Sequence, residues 1–149
     1  QCNLYDGMVA IATGRASPVG ELYNDVPDRI SDSAFFIGAG YAAGGHVVLG
    51  YAAALAAMFT AYVRAVGKAG GAKQEFCGPM AKQHRMALLT VVAVYCALAP
   101  KSWQPTWGTS PDITFGIPAI ALAVITLGSI VTAVRRLLRI ARQLREPHA

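Results

Sequence analysis

Ser33–Val63 reads SAFFIGAGYAAGGHVVLGYAAALAAMFTAYV, an unbroken run with no Asp, Glu, Lys or Arg. Uncharged runs of this length read as membrane-spanning helix, because a helix needs about 20 apolar residues to cross the hydrocarbon layer. Two crossings need about 40 residues, so the run is too short for a pair of full spans. Gly44-Gly45 is its strong breaker and marks the turn. The missing length comes from Gly20–Asp32, since no breaker follows Pro27 before Gly38. The helix so extended carries Asn24, Asp25, Asp28 and Asp32 at or below the membrane surface. Acidic side chains at that depth are costly and mark function. Outward from this stretch, Met86–Pro100 supplies a third apolar segment, and Ile113–Val134, again without a charged side chain, a fourth. With His46–Val63 and the extended Ser33–Ala43, the expectation is an all-α, polytopic transmembrane bundle with four spans.

Composition agrees. The 149 residues are 54% hydrophobic and 14% charged, where soluble domains average about a quarter charged. A disordered chain is excluded, because it needs low hydrophobicity and high net charge. The net charge of +5 is distributed by topology. Arg15, Arg29, Arg64, Lys68, Lys73, Lys82, Arg85, Arg135, Arg136, Arg139, Arg142 and Arg145 fall on one side of the four spans, and Lys101 alone on the other, 12 against 1. The positive-inside rule puts the basic side in the cytoplasm. The expected location is therefore the inner or cell membrane, multi-pass, and the basic charge gives no reason to expect a nucleic-acid partner. Trp103 and Trp107 suit the far interface. Residues 135–146 form a basic extension of the last helix, whose Arg side chains reach acidic headgroups or snorkel. The sequence starts at Gln1 with no basic, hydrophobic leader, which reads as a chain lacking its N-terminal part. Cys2, Cys77 and Cys96 have no metal-site or disulfide spacing and read as small apolar filler.

The segment from Gln1 to Asp32 carries the chemistry: QCNLYDGMVAIATGRASPVGELYNDVPDRISD. Asn3 and Asp6 share one helix face, and Asn24, Asp28 and Asp32 share another. Gly14, Pro18 and Gly20 separate the two. Oxygen ligands from two helices suit a hard cation such as Mg²⁺ or Mn²⁺. Spacing alone leaves equal room for a solvated helix end with Asp–Arg pairs such as Asp25–Arg29.

The same stretch resembles the signature of the CDP-alcohol phosphotransferases, D-x-x-D-G-x-x-A-R, eight residues, then G-x-x-x-D-x-x-x-D. The register is Asn3, Asp6-Gly7, Ala10-Ile11, Gly20, Asn24 and Asp28, with the spacing intact. Asn3 and Asn24 replace Asp, and Ile11 replaces Arg. Tyr62-Val63-Arg64-Ala65 and the basic segment Gly78–Arg85 resemble further stretches of family members that act on phosphate-bearing acceptors. The family has six spans, so the resemblance implies that the first span and most of the second precede residue 1, and that residues 1–149 form one such domain.

The resemblance implies an enzyme of phospholipid biosynthesis with its active site facing the cytoplasm. It transfers a phosphatidyl group from a CDP-alcohol such as CDP-diacylglycerol to a hydroxyl on a small acceptor, and releases CMP. It implies a metal site of Asn3, Asp6, Asn24 and Asp28 holding Mg²⁺ or Mn²⁺, with Asp28 as general base. Asp6, Gly7, Ala10, Arg15 and Gly20 would bind the CDP-alcohol, with Arg15 standing in for the Arg missing at Ile11. Asp25 and Asp32 lie within a turn of the site and would offset the lost carboxylates. Arg64, Lys82 and Arg85 would hold the acceptor's phosphate, which points to glycerol 3-phosphate or inositol phosphate. Membrane lipids are the expected surroundings, and a homodimer is compatible with this reading. Two alternatives stay open: a relative that binds nucleotide or lipid without turnover, and a small transporter. A transporter would place its charges nearer the bilayer midplane.

Overall fold

The computed structural model describes residues 18–71, 80–110 and 113–145. Four helices carry the chain: α1 (Pro18–Tyr41), α2 (Val47–Ala69), α3 (Lys82–Leu98) and α4 (Ile117–Arg145). A 3₁₀ turn at Lys101–Trp103 and a two-stranded hairpin, β1 (Thr106–Ser110) and β2 (Ile113–Gly116), separate α3 from α4. α2 and α4 are long and apolar enough to cross a membrane. α3, at 17 residues, spans roughly 25 Å at 1.5 Å per residue, and α1 carries acidic residues along its first half.

Contacts divide the chain into two compact units, Gln1–Ser31 and Asp32–Ala149, with the boundary inside α1. In the first unit, α1 begins as the shortfall of apolar length requires, upstream of Asp32. Pro27 lies inside the helix, where its ring removes one backbone hydrogen bond. Arg29 Nη2 donates to Asp25 Oδ1 at 2.8 Å, one turn away. That is the i,i+4 pair expected of a polar helix face, worth a few tenths of a kcal/mol.

In the second unit, α1 buries Asp32, Phe36 and Gly40 at four-residue intervals along one stripe. The turn to α2 falls at Gly44-Gly45, and Gly44 adopts φ +72°, a left-handed conformation that glycine takes without steric cost. α2 buries Gly50, Ala53, Ala54, Ala57, Thr60, Val63 and Gly67. This small-residue stripe lets helix backbones approach closely. A Cβ at Gly50 would stand 2.8 Å from the Phe36 carbonyl oxygen. Opposite it, α4 buries Leu122, Ile125, Ser129, Thr132, Ala133 and Arg136. Phe36, Ala53, Ala54, Ala57, Leu89, Leu122 and Ile125 form the core. Outside this stripe α2 exposes Tyr51, Leu55, Met58, Phe59 and Tyr62, and α4 exposes Ile120, Val124, Leu127 and Ile130.

The hairpin departs from the reading of Ile113–Val134 as continuous helix. Trp107 pairs with Phe115 and Thr106 with Gly116. Ile113-Thr114-Phe115 favours strand by its β-branched and aromatic side chains. Pro118, near the start of α4, suits a helix N-terminus because its missing N–H would have no intrahelical partner there. Gly116 N–H donates to the Gly44 carbonyl at 2.8 Å, and the Phe115 ring stacks on His46 with centroids 5.0 Å apart. These contacts tie the hairpin to the α1–α2 turn. α4 then runs to Arg145, so the basic 135–145 stretch continues the helix as expected.

Candidate functional site

Of the residues singled out by sequence, Asn3, Asp6, Gly7, Ala10, Ile11 and Arg15 lie outside the described residues. Gly20 and Asn24 are on α1, and Asp28 follows Asn24 by one turn, half-buried. Among the described residues no group of three His, Cys, Asp or Glu side chains forms a metal cage. The expected metal set depends on positions outside that description.

Within the second unit, a polar seam runs between α2, α3 and α4. Thr60 on α2 donates to the Ala56 carbonyl at 2.7 Å and approaches the Ser129 carbonyl of α4 at 3.3 Å. Arg85 on α3 reaches the Ser129 hydroxyl with Nη1 at 3.4 Å, and only 3% of the residue is exposed. The Met80 backbone N–H donates to Thr132 Oγ1 at 3.2 Å, and Thr132 donates to the Gly128 carbonyl at 2.7 Å. These bonds satisfy hydroxyls that would be costly to bury alone.

The seam ends among cations. Lys82 begins α3, one turn before Arg85. Its Nζ lies 3.9 Å from Oδ1 of Asp32, which is 5% exposed. Arg136 on α4 is 7% exposed, while its neighbour Arg135 is exposed. Arg64 on α2 is half-buried. Thr60 meets Ser129 above it, and a side chain at Gly67 would meet Ile140 below it, so Arg64 stands level with Arg136. Arg64, Lys82, Arg85 and Arg136 thus lie on three different helices, α2, α3 and α4, with Asp32 of α1 beside Lys82. Burying an ion costs several kcal/mol unless it is paired and hydrogen-bonded. Ionisable side chains inside an apolar helix assembly pair with one another or with backbone groups and mark candidate functional sites. A cavity of about 280 Å³, lined in part by Cys96, Lys101, Gln104 and Pro118, lies at the opposite helix ends.

Arg136 escaped the sequence reading because Arg135–Arg145 looked like one snorkelling tail. A signal was present. Leu122, Ile125, Ser129 and Thr132 repeat at three- and four-residue steps, and the next step lands on Arg136 and skips Arg135. Thr60, Ser129 and Thr132 stand as scattered polar residues in apolar runs, and no local pattern sets them apart.

A helical assembly with two membrane-length helices and a buried basic site is the class that fold and site define. Comparison with known proteins adds a particular relative. The chain is 36% identical over 90 residues to archaetidylinositol phosphate synthase of Aeropyrum pernix, an alignment covering 60% of this chain and 46% of that protein. The chain therefore spans about half the length of the curated relative it matches. This similarity agrees, over part of the chain, with the resemblance to CDP-alcohol phosphotransferases. No protein-family model matches the chain, and no solved structure matches it.

Proposed function

We propose that the protein is a multi-pass membrane transferase that moves a phosphatidyl-type group from a CDP-alcohol to the hydroxyl of a phosphate-bearing acceptor, releasing CMP. The observation that carries this reading is the set of basic side chains on α2, α3 and α4, of which Arg85 and Arg136 are buried. Lys82, Arg85 and Arg136, with Arg64 alongside, offer what a phosphate monoester dianion needs: several charge-assisted donors in a medium of low dielectric. The relative's name points to inositol phosphate as the acceptor class and to an archaetidyl lipid as the group transferred. The exposed apolar side chains of α2 and α4 suit lipid contact, and the 12-to-1 charge asymmetry suits a cytoplasmic active site.

In this mechanism the cationic side chains hold the acceptor phosphate and thereby orient the hydroxyl. Positioning and charge neutralisation supply most of the rate in phosphoryl transfer. Asp28 takes the hydroxyl proton as the oxygen forms its bond to the lipid-bearing phosphorus, and the bond from that phosphorus to CMP breaks. Asn3, Asp6, Asn24 and Asp28 would hold Mg²⁺ or Mn²⁺. An all-oxygen set that includes the half-buried Asp28 carboxylate fits such a hard cation. A metal held there would supply charge neutralisation at the pyrophosphate. Gly7, Ala10 and Gly20 would admit the CDP-alcohol close to the backbone, with Asp6 and Arg15 beside it.

The test is CMP release by the full-length protein from CDP-diacylglycerol or CDP-archaeol, with and without Mg²⁺ or Mn²⁺. Cation-dependent release on adding acceptor supports the transferase. Binding of the CDP-alcohol without release, with any acceptor, favours a non-catalytic relative, a reading to which the Asn3 and Asn24 replacements lend weight.

A further inference from the structure

α3 carries Lys82 and Arg85, yet of its 17 residues it buries only Arg85 and Leu89, where α2 buries seven residues and α4 nine. Apolar packing therefore fixes α3 less firmly than its neighbours. Nor does the chain fix it. Twelve residues, 70–81, join α2 to α3, enough to let the helix start over a wide range of positions. Its N-cap, Ala81, makes no side-chain bond. The fixed point is one residue earlier. The Met80 backbone N–H donates to Thr132 Oγ1 at 3.2 Å. The Thr132 hydroxyl gives its own proton to the Gly128 carbonyl at 2.7 Å, which leaves its lone pairs to accept. Gly128 and Thr132 are one turn apart on one face of α4. The Met80 side chain fills the space that Gly128 leaves: a Cβ there would overlap Met80 Cγ and stand 3.2 Å from its Cβ. Met80 also packs against the core. From this point α3 follows directly, because the Ala81 carbonyl accepts from the N–H groups of His84 and Arg85 at 3.0 and 3.2 Å. The Arg85 side chain returns to the same turn of α4, with Nη1 3.4 Å from Ser129 Oγ. Lys82 and Arg85 have further interactions of their own; Met80 sets where the helix that carries them begins.

We infer that Gly128 and Thr132 form a socket for Met80, and that the seated methionine is a positioning residue: it sets the start of α3, and with it the place of Lys82 and Arg85 before the acceptor's phosphate. That last step rests on the phosphate-acceptor reading above. Met80, Gly128 and Thr132 touch no substrate and take no part in the chemical step.

The experiment measures KM for inositol phosphate, KM for the CDP-alcohol and kcat in the full-length protein, together with amide hydrogen exchange over residues 80–85. Gly128→Ala puts a methyl group against Met80. Alanine is the better helix former, so a loss cannot come from the helix preference of α4 itself. The acceptor KM should rise on the order of tenfold, as overpacking displaces Met80. The CDP-alcohol KM and kcat should stay within about twofold of the parent. Met80→Ala removes the atoms in the way, so Gly128→Ala with Met80→Ala should lie within about twofold of Met80→Ala alone, a non-additive pair. Thr132→Val removes the acceptor of the Met80 N–H and should act in the same direction as Gly128→Ala, with Thr132→Ser recovering most of the loss. Exchange over residues 80–85 should speed up in Gly128→Ala and in Thr132→Val. If Gly128→Ala does not fold, its combination with Met80→Ala should. The inference is overturned if the substitutions at 80 and 128 act additively, if kcat and both KM values move together, if exchange over residues 80–85 ignores Gly128→Ala, or if the double variant fails to fold while Met80→Ala folds. A different result would sink the phosphate-acceptor reading itself: an active enzyme whose acceptor KM ignores both Lys82→Gln and Arg85→Gln, while exchange over residues 80–85 still responds to Gly128→Ala.

Discussion

Arg135 and Arg136 are adjacent, identical in chemistry and opposite in environment. Replacing each by Gln therefore asks whether burial or mere positive charge matters at this end of α4. Arg136 is 7% exposed, on the stripe that carries Ser129 and Thr132, and level with Arg64. A charge-assisted hydrogen bond from such a position is worth about 1.5–3 kcal/mol. At about 1.4 kcal/mol per decade, its loss should raise the acceptor KM roughly 10- to 150-fold. Arg135 is exposed. Screening over about 8 Å at physiological salt limits its effect to less than about threefold. The assay is initial-rate CMP release with the acceptor varied at saturating CDP-alcohol, after confirming that each variant extracts as a folded protein. Arg136→Lys keeps the charge but loses the planar fork, and should fall between parent and Gln. Equal effects of Gln at 135 and 136, or an effect of Arg136→Gln on the CDP-alcohol KM alone, would refute the assignment of Arg136 to the acceptor site.

Two further outcomes follow from the same account. Asp28→Asn preserves size and hydrogen bonding but removes basicity, so kcat should drop about 10²–10⁴-fold with CDP-alcohol binding retained, as followed by turnover and nucleotide binding; parental turnover would mean that another group takes the proton. Impermeant thiol reagents should label Cys77 only from the cytoplasmic side of sealed vesicles, and Thr109→Cys only from the outside; the reverse pattern would invert the topology.

The fold was legible where chemistry punctuates the chain. Two spans could not fit between Ser33 and Val63, which required α1 to begin upstream of Asp32, and Gly44-Gly45 fixed the turn. The hairpin was not legible from charge alone, because Ile113–Gly116 is as uncharged as the helix that follows. Only strand-favouring side chains and the position of Pro118 separate the two. At the site, Lys82 and Arg85 are singled out by the resemblance of Gly78–Arg85 to family members and not by spacing alone. Arg136 was hidden because charge at a helix end looks the same whether it snorkels or turns inward, and only the phase of the buried stripe distinguishes them. Asp32 was visible as an acid near the signature, but its pairing with Lys82 joins positions far apart in sequence, which no local pattern reports.

The central claim is that the buried cations read a phosphate on the acceptor. The most direct measurement is CMP release by the full-length protein with inositol phosphate and with inositol as competing acceptors, in the presence of Mg²⁺. Two charge-assisted contacts at about 1.5–3 kcal/mol each predict a preference for the phosphorylated acceptor of at least about 10²-fold in kcat/KM. That preference should collapse in Arg85→Gln. Equal use of inositol and inositol phosphate by the unmodified protein would contradict the account.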